Sequence, residues 1–197
     1  MIHPDKLTGR LGNRLFQIAY LYSQVRDKKI PDWYVQDPKY FEKYAGEIKE
    51  MFSEGIGFLP FVGVHVRRGD YVSNSFYVNL ADSTDYYEKA MALFPGESFV
   101  IFSDDIGFCK KRFKGENIQY AEGGTELEDF NQLASCKAQI IANSSFSLWC
   151  GILNPNPAKR VIAPPENKYY TDGVIRTRYP KDFEQIDYDF VAKQKDN

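Results

Sequence analysis

The apolar run IGFLPFVGVHV, residues 56–66, is followed directly by RRGDY, residues 67–71. The run is too short to cross a bilayer, and its composition predicts a buried strand with a break near Pro60. Arg67 and Arg68 then emerge at the carboxyl end of a strand, where open α/β sheets bind their ligands. Two guanidinium groups at this position indicate phosphate recognition. Surface salt bridges, or an adhesion loop built on RGD, are the alternatives that the heptapeptide HVRRGDY leaves open.

Three further apolar runs end on polar or proline residues. They are FVIF (99–102) before SDD, IIA (140–142) before NSSFS, and VIA (161–163) before two prolines. Helical patterns separate the earlier runs, so the four transitions at 66/67, 102/103, 142/143 and 163/164 predict a parallel α/β sheet. Its ligand edge would gather Arg67, Asp104, Asp105, Ser144 and Ser145.

Several helix boundaries bear on the site. Apolar residues recur at helical spacing from residue 15 to residue 25, which puts Gly12 and Asn13 at a helix entry. Glycine permits close backbone approach, and free N–H groups at a helix start favour an anion, although a plain capping turn is an alternative. The pattern also predicts a helix from Glu128 through FNQLASCKAQ, residues 130–139. Asp104 and Asp105 could accept hydrogen bonds from ribose or a base. The alternative is that one of them only caps the helix that follows.

Composition excludes several classes of protein. The 197 residues, 43% hydrophobic and 16% aromatic, suffice for one domain or for one domain with a small appendage. A net charge of -2 creates no overall field to attract nucleic acid or a membrane surface. The three cysteines lack C-x-x-C spacing, which argues against a disulfide framework, and the two histidines argue against a His-rich metal site. With no apolar leader and no membrane-length run, the expected location is cytoplasmic.

An ordered set of motifs resembles a known family. GRLGNRLFQIA, QDPKYF, HVRRGDY, FSDD and LASCKAQIIANSSFSLW followed by KRVIAP are similar to the bacterial-type α-1,2-fucosyltransferases, with this chain an unusually short member. The resemblance implies a GT-B-type fold, with a much reduced, acceptor-side N-terminal half in residues 1–55 and a Rossmann-like domain that binds the GDP-sugar in residues 56–197. It also implies a bacterial or viral type of enzyme, and a homo-oligomer is compatible with it.

The implied reaction is the transfer of L-fucose from GDP-β-L-fucose to a glycan hydroxyl, with inversion, in α-1,2 linkage to a terminal galactoside. The family needs no metal or other cofactor. The alternatives are a transferase for another GDP-sugar and a shortened remnant that binds nucleotide or glycan without turnover.

The resemblance carries roles onto matching residues. Arg67 would contact the diphosphate and stabilise departing GDP, and Gly12 and Asn13 resemble a glycine-asparagine loop that closes over the donor in related protein O-fucosyltransferases. The predicted donor-binding set is Gly12, Asn13, His65, Arg67, Arg68, Asp104, Asp105, Ser144, Ser145 and Phe146. The candidates for catalysis are Arg67, Asp70 and Asn13.

The general base and the acceptor surface are less determined. Asp70 is the carboxylate nearest in sequence to the arginines, but the favoured interpretation is that it pairs with Arg68 and shapes the turn. Aromatic faces suit sugar rings, so a shallow acceptor groove is predicted, lined by Trp33, Tyr34, Tyr40 and Tyr44. The alternative is that these residues lie in the core.

The chain also departs from the family pattern. Arg14 stands where glutamine is usual, and Leu148 and Cys150 replace a tryptophan and a glycine. This chain is shorter than the family pattern between Tyr22 and His65, the region in which the family builds much of its acceptor-facing half. We therefore expect donor binding to be retained better than acceptor choice.

Overall fold

The computed structural model describes residue 7 and residues 9–27 and 36–191, with the side chains of 24–27 left aside. Six parallel strands form one sheet in the order β3-β2-β1-β4-β5-β6. The strands are β1 (Leu59–Val66), β2 (Phe99–Ser103), β3 (Ile118–Tyr120), β4 (Cys136–Ile140), β5 (Val161–Ala163) and β6 (Glu184–Gln185). The fold is therefore α/β with a Rossmann-like parallel sheet, as the strand transitions predict.

Helices cover both faces of this sheet. They are α1 (Leu11–Asp27), α2 (Ala45–Phe52), α3 (Leu80–Ser83), α4 (Tyr86–Ala92), α5 (Ile106–Arg112), α6 (Glu126–Ser135) and α7 (Ser145–Leu153). One apolar cluster joins the sheet to α3, α4 and α5, and a second joins its other face to α1, α2, α6 and α7. Layers of helices on both faces explain why the central strand is apolar throughout rather than alternating.

β1 lies at the centre of the sheet, paired with β2 and β4. Val62, Val64 and Val66 point to the α4 face, where all three are fully buried. On the other face, a Cβ on Gly63 would lie 2.7 Å from the Cδ1 of Leu133, so this glycine lets α6 pack closely on the strand. The expected break near Pro60 is present as a shift in the register of β1 against β4 between Leu59 and Val62.

The predicted strand ends hold for β1 and β5, and β2 extends one residue further, to Ser103. The prediction is wrong for residues 136–139, which belong to β4 and not to the preceding helix. In these residues, the pairing of β4 with β1 and β5 outweighs helix propensity. The buried Gln139 side chain of β4 donates to the carbonyl of Leu133, in the last turn of α6, at 2.7 Å. The strands β3 and β6, only three and two residues long, were not predicted from the sequence.

The aromatic stretch around residue 41 is only partly α-helical. Two short 3₁₀ turns, Pro38–Tyr40 and Glu42–Tyr44, precede α2. Phe41 stacks on Trp149 of α7 with ring centroids 5.3 Å apart, and Phe16 of α1 meets the same indole edge-on at 5.0 Å. The described part of residues 1–55 thus shares its core with α7, and the predicted division into two domains stays a prediction.

All three cysteines are free and buried, as their spacing leads one to expect. Burial raises the pKa of Cys109 to about 11 and that of Cys136 to about 12, so both thiols are protonated at ordinary pH. None of the helices in the described ranges has the length and apolar character needed to cross a membrane.

Candidate functional site

A cavity of about 440 Å³ opens at the carboxyl ends of β1, β2 and β4. This volume lies within the range of small-molecule sites. The structure brings most of the predicted site residues to its walls: Gly12, Asn13, His65, Arg67, Asp70, Asp104, Ser144, Ser145 and Phe146. The edge of the sheet predicted to bind a ligand is therefore concave and gathers residues that are distant in sequence.

Four predicted residues lie elsewhere. Arg68 and Asp105 are outside the cavity walls, as are Tyr40 and Tyr44. Tyr44 is 9% exposed and belongs to the hydrophobic core, which is the alternative interpretation of the aromatic stretch. The remaining acceptor candidates, Trp33 and Tyr34, lie outside the described residues.

Arg67 is held by two carboxylates. Its Nη1 donates to Oδ2 of Asp104 at 2.5 Å, and its Nη2 donates to Oδ1 of Asp70. A Cβ on Gly69 would overlap the same Asp104 oxygen, so the glycine of RRGDY leaves the space for this pair. Arg10 adds a second guanidinium, 3.8 Å from Asp104. The guanidinium of Arg67 is thus oriented, and the Arg67 side chain as a whole is only 10% exposed.

Arg68 points away from the cavity. Its Nε donates to Asp105 at 3.1 Å, its Nη1 pairs with Asp82, and its Cζ lies 3.5 Å from the centroid of the Phe108 ring. The expected pairing of Asp70 with Arg68 is therefore wrong, because consecutive residues at a strand end point to opposite faces and Asp70 meets Arg67 instead. Each interpretation of the arginine pair applies to one arginine: Arg67 lines the cavity and Arg68 makes structural salt bridges.

The two adjacent aspartates divide in the same way. Asp105 caps α5 by accepting from the backbone N–H of Phe108 at 3.0 Å, which was the alternative for this pair. Asp104 faces the cavity and also accepts from the backbone N–H of Arg68 at 2.9 Å.

The entries of α1 and α7 meet at the cavity. A Cβ on Gly12 would lie 2.5 Å from the backbone nitrogen of Phe146 and would also overlap the carbonyl carbon of Ser145, so only glycine allows the backbones to approach this closely. Ser144 is the N-cap of α7, and its side chain makes no capping hydrogen bond. The first-turn N–H groups of a helix lack intrahelical acceptors, and they favour an anion at this end.

A relay of side-chain hydrogen bonds orients Asn13. Its Oδ1 accepts from Ser145 Oγ at 2.7 Å and from Gln36 Nε2 at 2.9 Å, and Gln36 Oε1 in turn accepts from Thr177 at 2.9 Å. Because both bonds use the oxygen of Asn13, its amide N–H groups are what it offers to a ligand. Gln36 is the first residue of the QDPKYF motif, but the sequence alone assigned it no role.

His65 presents a neutral imidazole to the site. Burial, reinforced by the positive charge of Arg67, lowers the pKa of His65 to about 3. Its ring lies 5.1 Å from that of Phe146, and Nδ1 is buried without a hydrogen-bond partner in the described part of the chain. His65 is therefore uncharged at ordinary pH and presents a neutral ring to the cavity.

Other lining residues carried no signal that assigned them to the site. Thr125 and Glu128 form a capping box that starts α6 and brings Glu126 and Asp129 to the cavity wall, where burial and neighbouring Glu128 raise the pKa of Asp129. The walls not assigned from sequence are Gly9, Arg10, Gln36, Tyr71, Tyr77, Phe102, Ser103, Glu126, Asp129, Tyr169 and Tyr170. Among the described residues, no group of three or more His, Cys, Asp or Glu side chains is arranged to hold a metal ion.

Comparison with known proteins identifies the family. The model of Glycosyl transferase family 11 matches residues 55–173, which include β1, the arginine pair and the start of α7. The chain belongs to glycosyl transferase family 11. Arg67, Asp104 and Ser145 are among the residues of the cavity wall that lie within the segment that matches the family.

Curated relatives are similar over part of their length. An alpha-1,2-colitosyltransferase of Escherichia coli is 33% identical over 159 residues, which are 66% of this chain and 52% of the relative. The O-antigen biosynthesis glycosyltransferase WbnK of Escherichia coli is 36% identical over 113 residues (51% and 37%), and the galactoside 2-alpha-L-fucosyltransferase Sec1 of Mus musculus is 29% identical over 137 residues (58% and 37%). The chain thus spans about half, or less, of the length of these relatives.

The contact between α1 and α7 predicts a cost for any side chain at position 12. Replacing Gly12 by Ala in this family-11 chain pushes the two backbones apart, and we expect the free energy of unfolding to fall by about 1 to 3 kcal/mol. A Cβ on Gly46 in α2 would have no neighbour within 4 Å, so Gly46→Ala is the matched control and should be neutral or stabilise by about 0.5 to 1 kcal/mol. Urea unfolding measures both, and equal stability of the two variants would contradict the close contact.

The depressed pKa of His65 predicts an acid-sensitive stability. An unfolded histidine titrates near 6.5, so below that pH the unfolded chain binds a proton that the folded chain excludes until about pH 3. Stability is therefore lost as the pH falls through this window, by up to about 1.4 kcal/mol per pH unit. We expect the free energy of unfolding to fall less steeply for His65→Gln than for the wild type between pH 6.5 and 5, as measured in urea. Parallel pH profiles would show that His65 titrates normally.

Proposed function

We propose that this chain is an inverting glycosyltransferase that moves L-fucose from GDP-β-L-fucose to a glycan hydroxyl, in α-1,2 linkage to a terminal galactoside. One observation carries the proposal: an oriented arginine and the entries of two helices converge on one cavity at the ends of parallel strands. Membership of glycosyl transferase family 11 supports it, and the mouse relative is named a galactoside 2-alpha-L-fucosyltransferase.

The chemistry requires stabilisation of a leaving group. As the anomeric C–O bond breaks, negative charge develops on the β-phosphate of GDP while the sugar becomes oxocarbenium-like. In the proposed site this charge is taken up by the guanidinium of Arg67, by the first N–H groups of α7 and by the amide of Asn13. We propose that these groups act without a metal ion.

The two carboxylates that hold Arg67 give the donor a direction. Asp104 lies on one side of the guanidinium, beside Phe102 and Ser103, and Asp70 lies on the other side, beside Tyr71. We place the nucleoside of GDP on the Asp104 side, because a carboxylate accepts hydrogen bonds from ribose hydroxyls or from guanine. The fucosyl group then lies on the Asp70 side.

Asp70 has two roles in this proposal. Its side chain is 53% exposed, whereas that of Asp104 is 26% exposed. An incoming diphosphate therefore displaces Asp70 from Arg67 more easily than it displaces Asp104. Once displaced, the Asp70 carboxylate is free to accept the proton of the attacking hydroxyl. Arg68 and Asp105 are left out of the donor site, because Arg68 pairs with both Asp105 and Asp82.

A second candidate keeps the scaffold and changes the donor sugar. It is supported by the relative named an alpha-1,2-colitosyltransferase, a name that specifies a colitosyl and not a fucosyl group. Thermal stabilisation by GDP, GDP-fucose, GDP-mannose and UDP-sugars discriminates the candidates, followed by release of GDP with a panel of galactosides. Stabilisation by GDP-fucose with GDP release supports the proposal, and binding without release across the panel favours a non-catalytic remnant. The GT-B architecture with a reduced N-terminal half, a cytoplasmic location and a homo-oligomer remain proposals of the same kind.

Arg67 provides the sharpest test of the leaving-group role. We expect Arg67→Lys, as well as Arg67→Ala, to reduce turnover by about 10²- to 10³-fold, because an ammonium cannot reproduce the planar bidentate geometry. Arg160→Lys is the matched control, since Arg160 likewise makes two charged hydrogen bonds, both to Glu184, on the far edge of the sheet. Rates of GDP release from GDP-fucose measure both variants, and wild-type turnover in folded Arg67→Lys would refute the assignment.

Asp70 is tested by a change that preserves its shape. We expect Asp70→Asn to lower kcat by about 10²-fold or more through loss of the base, while the affinity for GDP is retained because the amide competes less for Arg67. Steady-state kinetics and GDP titration separate the two effects. Full activity in Asp70→Asn would show that this carboxylate is not the base.

A further inference from the structure

A second cavity, the outer groove, adjoins the proposed donor site. It has a volume of about 490 Å³ and shares three wall residues with the donor cavity, Tyr71, Tyr77 and Tyr170. Tyr71 and Tyr77 stack with ring centroids 4.1 Å apart and an interplanar angle of 7°, and Tyr170 lies 5.5 Å from Tyr77. The partition between the two cavities therefore consists of these three aromatic rings.

The partition is rigid on the side of the donor. The hydroxyl of Tyr71 donates to the carbonyl of Asn143 at 2.8 Å, and the Asn143 amide donates to the carbonyls of Val78 and Tyr169, each at 2.9 Å. The residues that flank the rings are thus tied to the end of β4, next to the start of α7. A ligand in the outer groove meets a preformed aromatic surface.

The charged side chains of the outer groove are already neutralised. Asp82 pairs with Arg68, and Lys168 pairs with Asp187 while also donating to the carbonyl of Tyr188 at 3.1 Å. Among the described residues of its wall, the groove presents no unpaired charge to a ligand. The groove is therefore suited to an uncharged ligand.

Neutral polar groups remain available in the groove. The side chains of Ser75 and Asn167 are exposed and make no hydrogen bond within the described part of the chain. Hydroxyl and amide groups next to an aromatic face match a polyhydroxylated ring, whose C–H face packs on the aromatic ring while its hydroxyls exchange hydrogen bonds.

Phe190 adds an exposed aromatic ring to the groove. Its side chain is 66% exposed, although its backbone is held by a bridge to Thr84 and by the following N–H of Val191, which donates to the carbonyl of Ser83 at 2.9 Å. The ring of Phe190 meets that of Tyr188 edge-on at 5.8 Å, and most of this large apolar side chain stays exposed at the groove.

We propose that the outer groove binds the acceptor of the transfer, a neutral galactoside-containing glycan, against Phe190, Asn167 and the tyrosine partition. The inference rests on the proposed function, because it assigns the second substrate of the same reaction. The acceptor hydroxyl reaches the donor sugar past Tyr77. Asp70 and Tyr77 both line the donor cavity, so the proposed base lies on the side of the partition that the hydroxyl enters.

A third cavity does not meet these requirements. Its walls include Lys39, Lys49, Lys159 and Lys181, and it shares no residue with the donor cavity. A sugar bound there would not border the donor. The proposal therefore assigns the acceptor surface to the segments around residues 71–83, 167–173 and 190.

The test measures binding of lactose, a galactoside probe, to the full chain loaded with GDP, by saturation-transfer NMR. We expect Phe190→Ala and Asn167→Ala each to weaken lactose binding by about 3- to 10-fold, because each removes one stacking or hydrogen-bonding contact. Phe58→Ala is the matched control, since Phe58 is 63% exposed and lines neither cavity. Phe190→Trp keeps a stacking ring at this position, so it should retain lactose binding.

The outcomes separate the two proposals. Weaker lactose binding in both groove variants that still bind GDP, with Phe58→Ala unaffected, supports the acceptor site. Equal lactose affinity in all variants, or no lactose binding by the GDP-loaded wild type, overturns it. If GDP fails to stabilise the wild type, the proposed function fails, and the same lactose titration on the free chain still decides whether the groove binds a glycan.

Discussion

The alternation of side chains at the end of β1 is the constraint on which the site depends. Val62, Val64 and Val66 fill one face of the sheet, and Gly63 and His65 face the other. Arg67 continues the second series into the cavity, whereas Arg68 continues the first and is held by Asp82, Asp105 and the ring of Phe108. Two adjacent arginines of the same chemistry thus take different roles, because a strand sends neighbours to opposite faces.

A second consequence is that the cations of the cavity already face carboxylates, and its walls also carry Glu126 and Asp129. Arg10 and Arg67 are matched by Asp70 and Asp104, and His65 is neutral because burial and Arg67 lower its pKa to about 3. In the proposed function, an anionic donor enters by exchange and takes the place of the more exposed carboxylate on an arginine that is already oriented. Preorganised donors of this kind avoid the cost of reorganising polar groups while charge develops. The same exchange would free Asp70 beside the tyrosine partition, where the outer groove begins.

Much of the fold was predictable because strand ends and glycine positions are local signals. The sequence places Arg67 after an apolar run, Gly12 and Asn13 at a helix entry and Ser144 before α7, and each of these is observed. Residues 136–139 were assigned to a helix because their strand character depends on neighbours β1 and β5, which a local pattern does not contain. The short β6 has only two polar residues and no apolar signal at all.

The sequence by itself determined that this is an α/β chain with an arginine, two aspartates and a hydroxyl-rich turn at strand ends, and its motifs indicated the family. Only the tertiary structure decided which arginine faces the cavity, that Asp70 binds Arg67, that Tyr44 lies in the core, and that Gln36 orients Asn13. It also revealed that Tyr71, Tyr77 and Tyr170 separate two cavities. The physical reason is that motifs record residue types along one strand or turn. Orientation and partnership arise instead from packing between segments that are distant in sequence, as for Ser145 and Asn13, which lie 132 residues apart.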